Sequence, residues 1–114
     1  MLNFFNKESD TGNIEYKLYI GKNKCKDSLL SQCYYRIREG NGKAIYIIGI
    51  TDNGDLVFTN INIIFLSISN FINIIKPYCK FKLKIFIKKP YVYSIISVYN
   101  NELNSINYID YNNI

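Results

Sequence analysis

The chain has 114 residues, a length typical of one domain and too short for a complete translational GTPase, a kinase or a TIM barrel. With 48% hydrophobic and 20% charged residues, its composition is that of a globular protein and not of a disordered or fibrous one. The absence of His and Trp removes the most common general base and the most common nitrogen ligand of zinc.

The first half of the chain is predicted to contain two strands and a helix. Apolar residues alternate over 14–20 and predict a strand whose even-numbered side chains are buried on one face. A helix is predicted over 26–39 and is ended by the glycines of 40–42, because Gly tolerates a left-handed conformation. The nearly continuous apolar run 44–50 predicts a central strand, and 52–55 predict a turn.

The second half begins with a segment, 56–75, that carries no charge and is long enough to span a bilayer. Its Asn and Ser residues are costly in hydrocarbon, and its Ile and Phe residues recur at spacings of three and four. These features favour a helix over 60–76 that buries one face, and they argue against a membrane partner. Alternating patterns then predict strands over 79–87 and 91–99, and 100–114 form an Asn-rich polar tail.

This order of elements predicts an α+β fold, β-α-β-turn-α-β-β, in which two helices cover one face of a roughly four-stranded mixed sheet. We divide the chain into a polar N-terminal segment over 1–12, a single α+β domain over 13–99 and the polar tail over 100–114.

The positive charge is concentrated in one part of the chain. Residues 1–55 sum to +1, residues 56–100 hold six Lys and no acid, and residues 101–114 sum to −2. Lys80, Lys82 and Lys84 alternate with apolar residues, so they are expected on the sheet face that the helices leave open. Such a face binds nucleic acid through lysines and aromatic rings, or it only keeps the sheet soluble. The further candidates for this face are Lys88, Lys89, Lys17, Tyr19, Tyr91 and Tyr93. The lysine cluster over 21–26 and the tail are the remaining candidates for binding RNA.

The sequence offers no signature of catalysis. It lacks the phosphate-binding loop GxxxxGK[ST] as well as HExxH, GxSxG and GxGxxG. The three cysteines form no CxxC pair, and without His they have neither an activating base nor the usual partners of a zinc site. We therefore expect no catalytic residue, no metal and no cofactor, and free thiols in the cytoplasm.

One stretch carries a family resemblance. Residues 36–54 read RIREGNGKAIYIIGITDNG and resemble the N-terminal leader domain of the GTP-binding protein 1 and 2 family, relatives of the elongation factor Tu/1-alpha GTPases. That leader domain has a helix ending in Glu-Gly-x-Gly, an Ile-Tyr-x-Ile-Gly strand and an acidic turn, followed by a helix and two strands. The likeness covers roughly 13–99 and departs over 56–59, where the family has Gly-Leu. It implies the leader-domain fold and a translation-linked or RNA-linked setting. It implies no GTP binding, since no GTPase domain is expected here.

The expected function is therefore that of a non-enzymatic basic protein bound to ribosomes or other RNA, for example a ribosome-associated or dormancy-type translation factor. The alternative is a protein interaction module that docks on a separate GTPase or adaptor through its apolar helix or a sheet edge. A third interpretation is a degenerate gene product with little activity.

Overall fold

A computed structural model describes residues 2–22, 25–100 and 108–113, the last range by its backbone and strand pairing. Two helices lie on one face of a mixed five-stranded sheet, which confirms the predicted α+β architecture. Helix α1 spans Lys26–Glu39 and helix α2 spans Ile61–Ile75, close to their predicted bounds. The main sheet contains β2 (Ile14–Lys17), β3 (Lys43–Ile48), β5 (Cys79–Lys88), β6 (Tyr91–Asn100) and β7 (Tyr108–Asn113), and a separate small sheet contains β1 (Leu2–Asn3) and β4 (Asp55–Leu56).

The strand order in the main sheet is β2-β3-β6-β5-β7. The outer pairs β2/β3 and β5/β7 are parallel, and the inner pairs β3/β6 and β5/β6 are antiparallel. Strand β7 lies in the predicted polar tail, of which 101–107 and 114 are outside the described residues. Its position has a simple physical basis, because the outer edge of β5 presents backbone groups that any extended segment can pair with.

The main core lies between the helices and the sheet. Helix α1 packs on β3, and α2 packs chiefly on β6. The even-numbered side chains of β3 and β6 and the odd-numbered side chains of β5 point toward the helices. The fully buried members include Leu29, Cys33, Tyr46, Ile48, Ile64, Phe71, Ile75, Ile85, Ile96 and Val98.

Helix α2 begins after Asn60, whose side-chain oxygen accepts a hydrogen bond from the Asn62 N–H at 2.8 Å and so caps the helix. Its buried stripe includes Ile64, Phe71 and Ile75, and this burial offsets the modest helix propensity of isoleucine. Neither α1 nor α2, the two helices in the described part of the chain, has the length and apolar content that a bilayer span requires.

The sequence pattern is misleading at β2. The strand ends at Lys17, Ile14 is 40% exposed, and Glu15 is buried, so the prediction that the even-numbered side chains of 14–20 share one buried face is wrong. The register with β3 places Glu15 beside Tyr46, on the helix side of the sheet. There the Arg36 guanidinium of α1 donates to the Glu15 carboxylate over a distance of 2.9 Å. The Glu15 carboxylate, paired with Arg36, therefore lies on the helix side of β2, where the alternation predicts apolar side chains.

Arg36 also ties down the segment that precedes β2. It is only 4% exposed, and its remaining N–H groups donate to the carbonyl oxygens of Ser9, Thr11 and Gly12 at 2.9–3.0 Å. The nearby Glu8 carboxylate accepts the Tyr16 N–H on the outer edge of β2, and burial raises the pKa of Glu8. These contacts anchor the chain as it passes the sheet edge.

At the end of α1 the left-handed role predicted for glycine holds for Gly42 but not for Gly40. Gly40 has a φ of −100°, and the left-handed conformation falls on Asn41 and Gly42. A Cβ atom on Gly40 would overlap with the Lys43 carbonyl oxygen and the Asn13 side chain. Gly40 is therefore required for the close approach of the chain to itself, and not for a left-handed turn.

Residues 2–8, which we call the N-terminal strap, lie across the other face of the sheet. The Phe4 and Phe5 N–H groups donate to the Gly54 carbonyl oxygen, and the Glu8 N–H donates to that of Asp52. A side chain on Gly54 would overlap with the Phe5 backbone. The strap thus packs on the domain, whereas the sequence pattern sets 1–12 apart from the domain as a polar N-terminal segment.

Candidate nucleic-acid interface

The predicted row of lysines exists and lies on the sheet face away from the helices. Strand β5 pairs with β6 so that Lys80, Lys82 and Lys84 stand opposite Tyr99, Ser97 and Ile95. The odd-numbered side chains of β5 point into the core, so its even-numbered side chains share the opposite face. We call Lys80, Lys82 and Lys84 the lysine row.

Two more residues extend this surface toward the centre of the sheet. Strand β3 pairs with β6 so that Lys43 stands opposite Tyr99, and the Lys43 Nζ atom lies 5.8 Å from the centre of the Tyr99 ring. The lysine row, Lys43, Ser97 and Tyr99 form what we call the open half of this face. Sequence reasoning missed Lys43 and Tyr99, because only the antiparallel register of β3 with β6 brings them together.

One acidic residue lies beside the lysine row. Strand β7 pairs with β5 in a register that sets Asp110 next to Lys84. Residues 79–100, which form β5, β6 and their turn, contain no acid. Among the described residues, the open half is therefore strongly basic, and strand pairing brings the acidic position 110 to its outer edge.

The other half of the same face is not available as predicted. Tyr93 is 3% exposed, with Phe86 stacked on its ring at 5.0 Å and Phe5 of the strap meeting the ring edge-on at 5.4 Å. Burial raises the pKa of the Tyr93 hydroxyl. Tyr91 packs half-buried against the same cluster. The prediction that Tyr93 is presented to solvent is wrong, because the strap covers it. We call this cluster, with Tyr16, Ile47 and the strap, the covered half.

The lysines at the β5–β6 turn lie at the border of the covered half. The Lys88 Nζ atom lies 5.5 Å from the centre of the Phe4 ring, and the Lys88 side chain is half-buried. Lys89 is exposed in the turn, where its bond to Pro90 is cis. Both lysines stay close to the lysine row along β5, as their sequence positions predict.

Lys17 and Tyr19 are not part of this surface. The register of β2 with β3 places Lys17 on the helix side, where its Nζ atom lies 3.6 Å from the Glu15 carboxylate. Tyr19 follows the end of β2 in a loop. The expectation that both would join the lysine row is wrong, because β2 carries its charges toward α1.

The lysine cluster over 21–26 also lies apart from the lysine row. Lys22 and Lys26 border a groove of about 340 Å³ with Asn70 and Asn73 of α2. This groove is in the helix layer, on the opposite side of the sheet. Lys24, the third lysine of this cluster, is outside the described residues.

Two of the three thiols form a hydrogen-bonded pair in the core. All three cysteines are free, and Cys33 and Cys79 are buried together between α1 and β5. The hydrogen bond with Cys79 and burial raise the pKa of the Cys33 thiol, while the same bond lowers that of Cys79. Among the described residues no three His, Cys, Asp or Glu side chains form a group that can hold a metal ion.

Comparison with known proteins gives partial matches in sequence. No family model and no solved structure matches the chain. The chain is 44% identical over 52 residues to GTP-binding protein 2 of mouse, and equally so to that of human. The match covers 44% of this chain and 9% of each relative, so the chain spans less than a tenth of their length in the alignment. This segment links the chain to the GTP-binding proteins.

Proposed function

We propose that this chain is a non-enzymatic binding protein for single-stranded RNA, including exposed RNA on the ribosome, and that the open half is its binding surface. The observation that carries the proposal is the lysine row standing opposite Tyr99 and Ser97 on a face without helices. The open half thus offers cations for phosphates, a ring for a base and a hydroxyl for hydrogen bonds.

The geometry of the strand suits an extended polynucleotide. Alternate residues of a strand lie about 6.5 Å apart, so the three ammonium groups of the lysine row follow each other at that spacing. This is similar to the distance between successive phosphates of an extended single strand. Each phosphate that a lysine neutralises releases counterions, which makes binding favourable and strongly dependent on salt.

An aromatic ring at the end of the row fits a single strand better than a duplex. Tyr99 lies across from Lys80, and Lys43 holds a cation over its ring. Unpaired bases can stack on such a ring, whereas the bases of a duplex are already stacked on one another. We therefore assign Tyr99 as the stacking residue and the lysine row as the backbone contact.

We further propose that the fold is equivalent to the leader domain of GTP-binding protein 2, and that the protein acts in translation in the cytoplasm. The 44% identity to that protein and the motif over 36–54 support this assignment. GTP binding is not proposed, because the sequence lacks a phosphate-binding loop. Free thiols are compatible with a reducing compartment.

The test is a charge reversal of the lysine row with a matched control. Changing Lys80, Lys82 and Lys84 to Glu should weaken binding of a short single-stranded RNA at least about tenfold, and it should abolish co-sedimentation with ribosomes. The slope of affinity against salt should fall by about 2 on a double logarithmic plot, since each contact on a single strand contributes about 0.7. The control changes Lys22, Lys26 and Lys76 to Glu, which alters the net charge equally on the helix side.

Equal losses in the two variants would contradict the assignment, because they would indicate a response to net charge alone. Unchanged ribosome association in the lysine-row variant, with little effect of salt, would instead favour a protein docking module. Circular dichroism should confirm that both variants remain folded, as all six substituted residues lie outside the core.

A further inference from the structure

A groove beside α2 has the form of a socket for a side chain. Phe65, Ile68, Ser69 and Ile72 line one wall, and Leu83 and Ile85 of β5 form the floor of a space of about 260 Å³. The four helix residues are at positions i, i+3, i+4 and i+7, the arrangement that receives one side chain from a neighbouring helix in knobs-into-holes packing. Because Ser69 is small, the socket stays open at its centre.

The same helix also carries a projecting side chain that fits such a socket. Leu66 is 59% exposed, the highest value among the apolar residues of α2. Leu66 and Ser69 are three residues apart, so the knob and the Ser69 edge of the socket lie on the same exposed side of the helix. A surface that carries both elements is self-complementary under a two-fold axis.

The charge distribution selects the same surface for self-association. Two copies that each carry a net charge of +5 repel one another, and a symmetric contact at the lysine row would bring like charges together. Residues 56–75 have no charged side chain. Exposed Asn62, Ser69 and Asn73 each provide hydrogen-bond donors and acceptors, so they can pair with their own counterparts.

We propose that two copies of this chain associate through α2, packed against α2 of the other copy about a two-fold axis, with Leu66 of each copy entering the socket of the other. The lysine rows, on the opposite side of each sheet, then remain open on the outside of the dimer. This inference does not depend on the proposed function.

The size of the surface sets the expected strength. A helix of 15 residues is about 22 Å long, and one such face per copy gives an interface at the small end of specific complexes. We therefore expect a weak dimer with a dissociation constant in the micromolar range. Association should strengthen modestly with salt, because 56–75 carry no charge but Lys22 and Lys26, which border Asn73, repel their counterparts in the other copy.

Sedimentation equilibrium of the full chain over micromolar to millimolar concentrations tests the proposal. The unmodified chain should shift from monomer to dimer, and Leu66→Glu should weaken the dimer at least about 30-fold, the loss typical of a hot-spot residue. Ser69→Leu fills the socket from within and should weaken the dimer as well, without a change in charge. Tyr34→Glu, an exposed aromatic position on α1, is the control and should leave the dimer intact.

A chain that remains monomeric at all concentrations would overturn the proposal. A dimer that tolerates both Leu66→Glu and Ser69→Leu would also overturn it, because the contact would then lie elsewhere. Circular dichroism distinguishes loss of the dimer from loss of the fold, and the two variants change the surface by different means.

Discussion

The two halves of the helix-free sheet face use the same strands, β5 and β6, and reach opposite outcomes. In the covered half, the rings of Phe86 and Tyr93 stack on each other beneath the strap, so that Tyr93 is buried and Phe86 is half-buried. In the open half, a few residues along the same strands, Lys82 and Ser97 stand opposite each other. Strand alternation determines which face a side chain is on, but residues distant in the sequence determine whether that face is exposed.

The difference also separates stability from binding. The covered half is a second, smaller hydrophobic core, so its aromatic residues contribute mainly to the free energy of folding. The open half holds the lysines that, under the proposed function, contact phosphate groups. Substitutions in the covered half should therefore change the stability of the fold, and substitutions in the open half should change the affinity for RNA.

The largest effect is expected where the strap is anchored. Replacing Arg36 with Ala leaves the buried Glu15 carboxylate without its cation and removes the donors to three carbonyl groups before β2. Breaking a buried ion pair from one side typically costs about 3–5 kcal/mol. We expect a loss of this size in urea unfolding, together with faster proteolysis of the strap.

Arg38 provides the control for this change. It is on the same helix but exposed, so Arg38→Ala should alter the unfolding free energy by less than about 0.5 kcal/mol. Similar unfolding midpoints for the two variants would show that the Arg36 contacts do not hold the strap.

Tyr93 is the centre of the covered half, and its removal should have the next largest effect. Tyr93→Ala empties the space between Phe86 and Phe5 and should cost about 3 kcal/mol, as for other large-to-small changes of buried aromatic residues. Tyr93→Phe keeps the ring and should cost far less. Thermal unfolding of the two variants measures the difference, and an equally stable Tyr93→Ala chain would mean that the strap does not seal this cluster.

Much of this arrangement follows from local sequence patterns, and the rest depends on long-range pairing. The lysine row and both helices are predictable because a period of two or of 3.6 is visible in one segment. The side on which Lys17 lies depends on the parallel register of β2 with β3, which no local pattern encodes. The covering of Tyr93 depends on Phe4 and Phe5, in a segment whose overall composition is polar.

Residues that complete the open half were missed for the same reason. Tyr99 has the same alternation as Tyr91 and Tyr93, but it pairs with Lys43 and Lys80 near the other end of β6, apart from the cluster around Tyr93. Lys43 begins β3 and reaches the open half through its pairing with Tyr99. Asp110 enters through β7, whose polar sequence carries no strand signal.

Substitution of Tyr99 should change RNA affinity more than stability, the reverse of the effect expected at Tyr93. Tyr99→Ala removes a half-buried ring, so its effect on unfolding should be at most about 1 kcal/mol. Loss of a stacked base costs about 1–3 kcal/mol, which corresponds to a decrease in RNA affinity of about fivefold or more. Tyr99→Phe should retain the affinity, and fluorescence anisotropy with a single-stranded RNA measures both. Equal affinity of Tyr99→Ala and the unmodified chain would remove the ring from the binding surface.

The smallest effect is expected at Asp110, the acidic position next to Lys84 in the register of β5 with β7. If Lys84 contacts a phosphate as proposed, a negative charge at the neighbouring position repels the incoming strand and competes for the lysine, and salt reduces this effect. Asp110→Asn should therefore tighten RNA binding only about twofold at low salt, with the gain disappearing at high salt. Asp27→Asn makes the same chemical change at the start of α1, on the helix side, and should have no such effect. A gain of equal size in both variants would indicate that only the net charge matters, whereas a gain confined to Asp110→Asn would place the nucleic acid along β5.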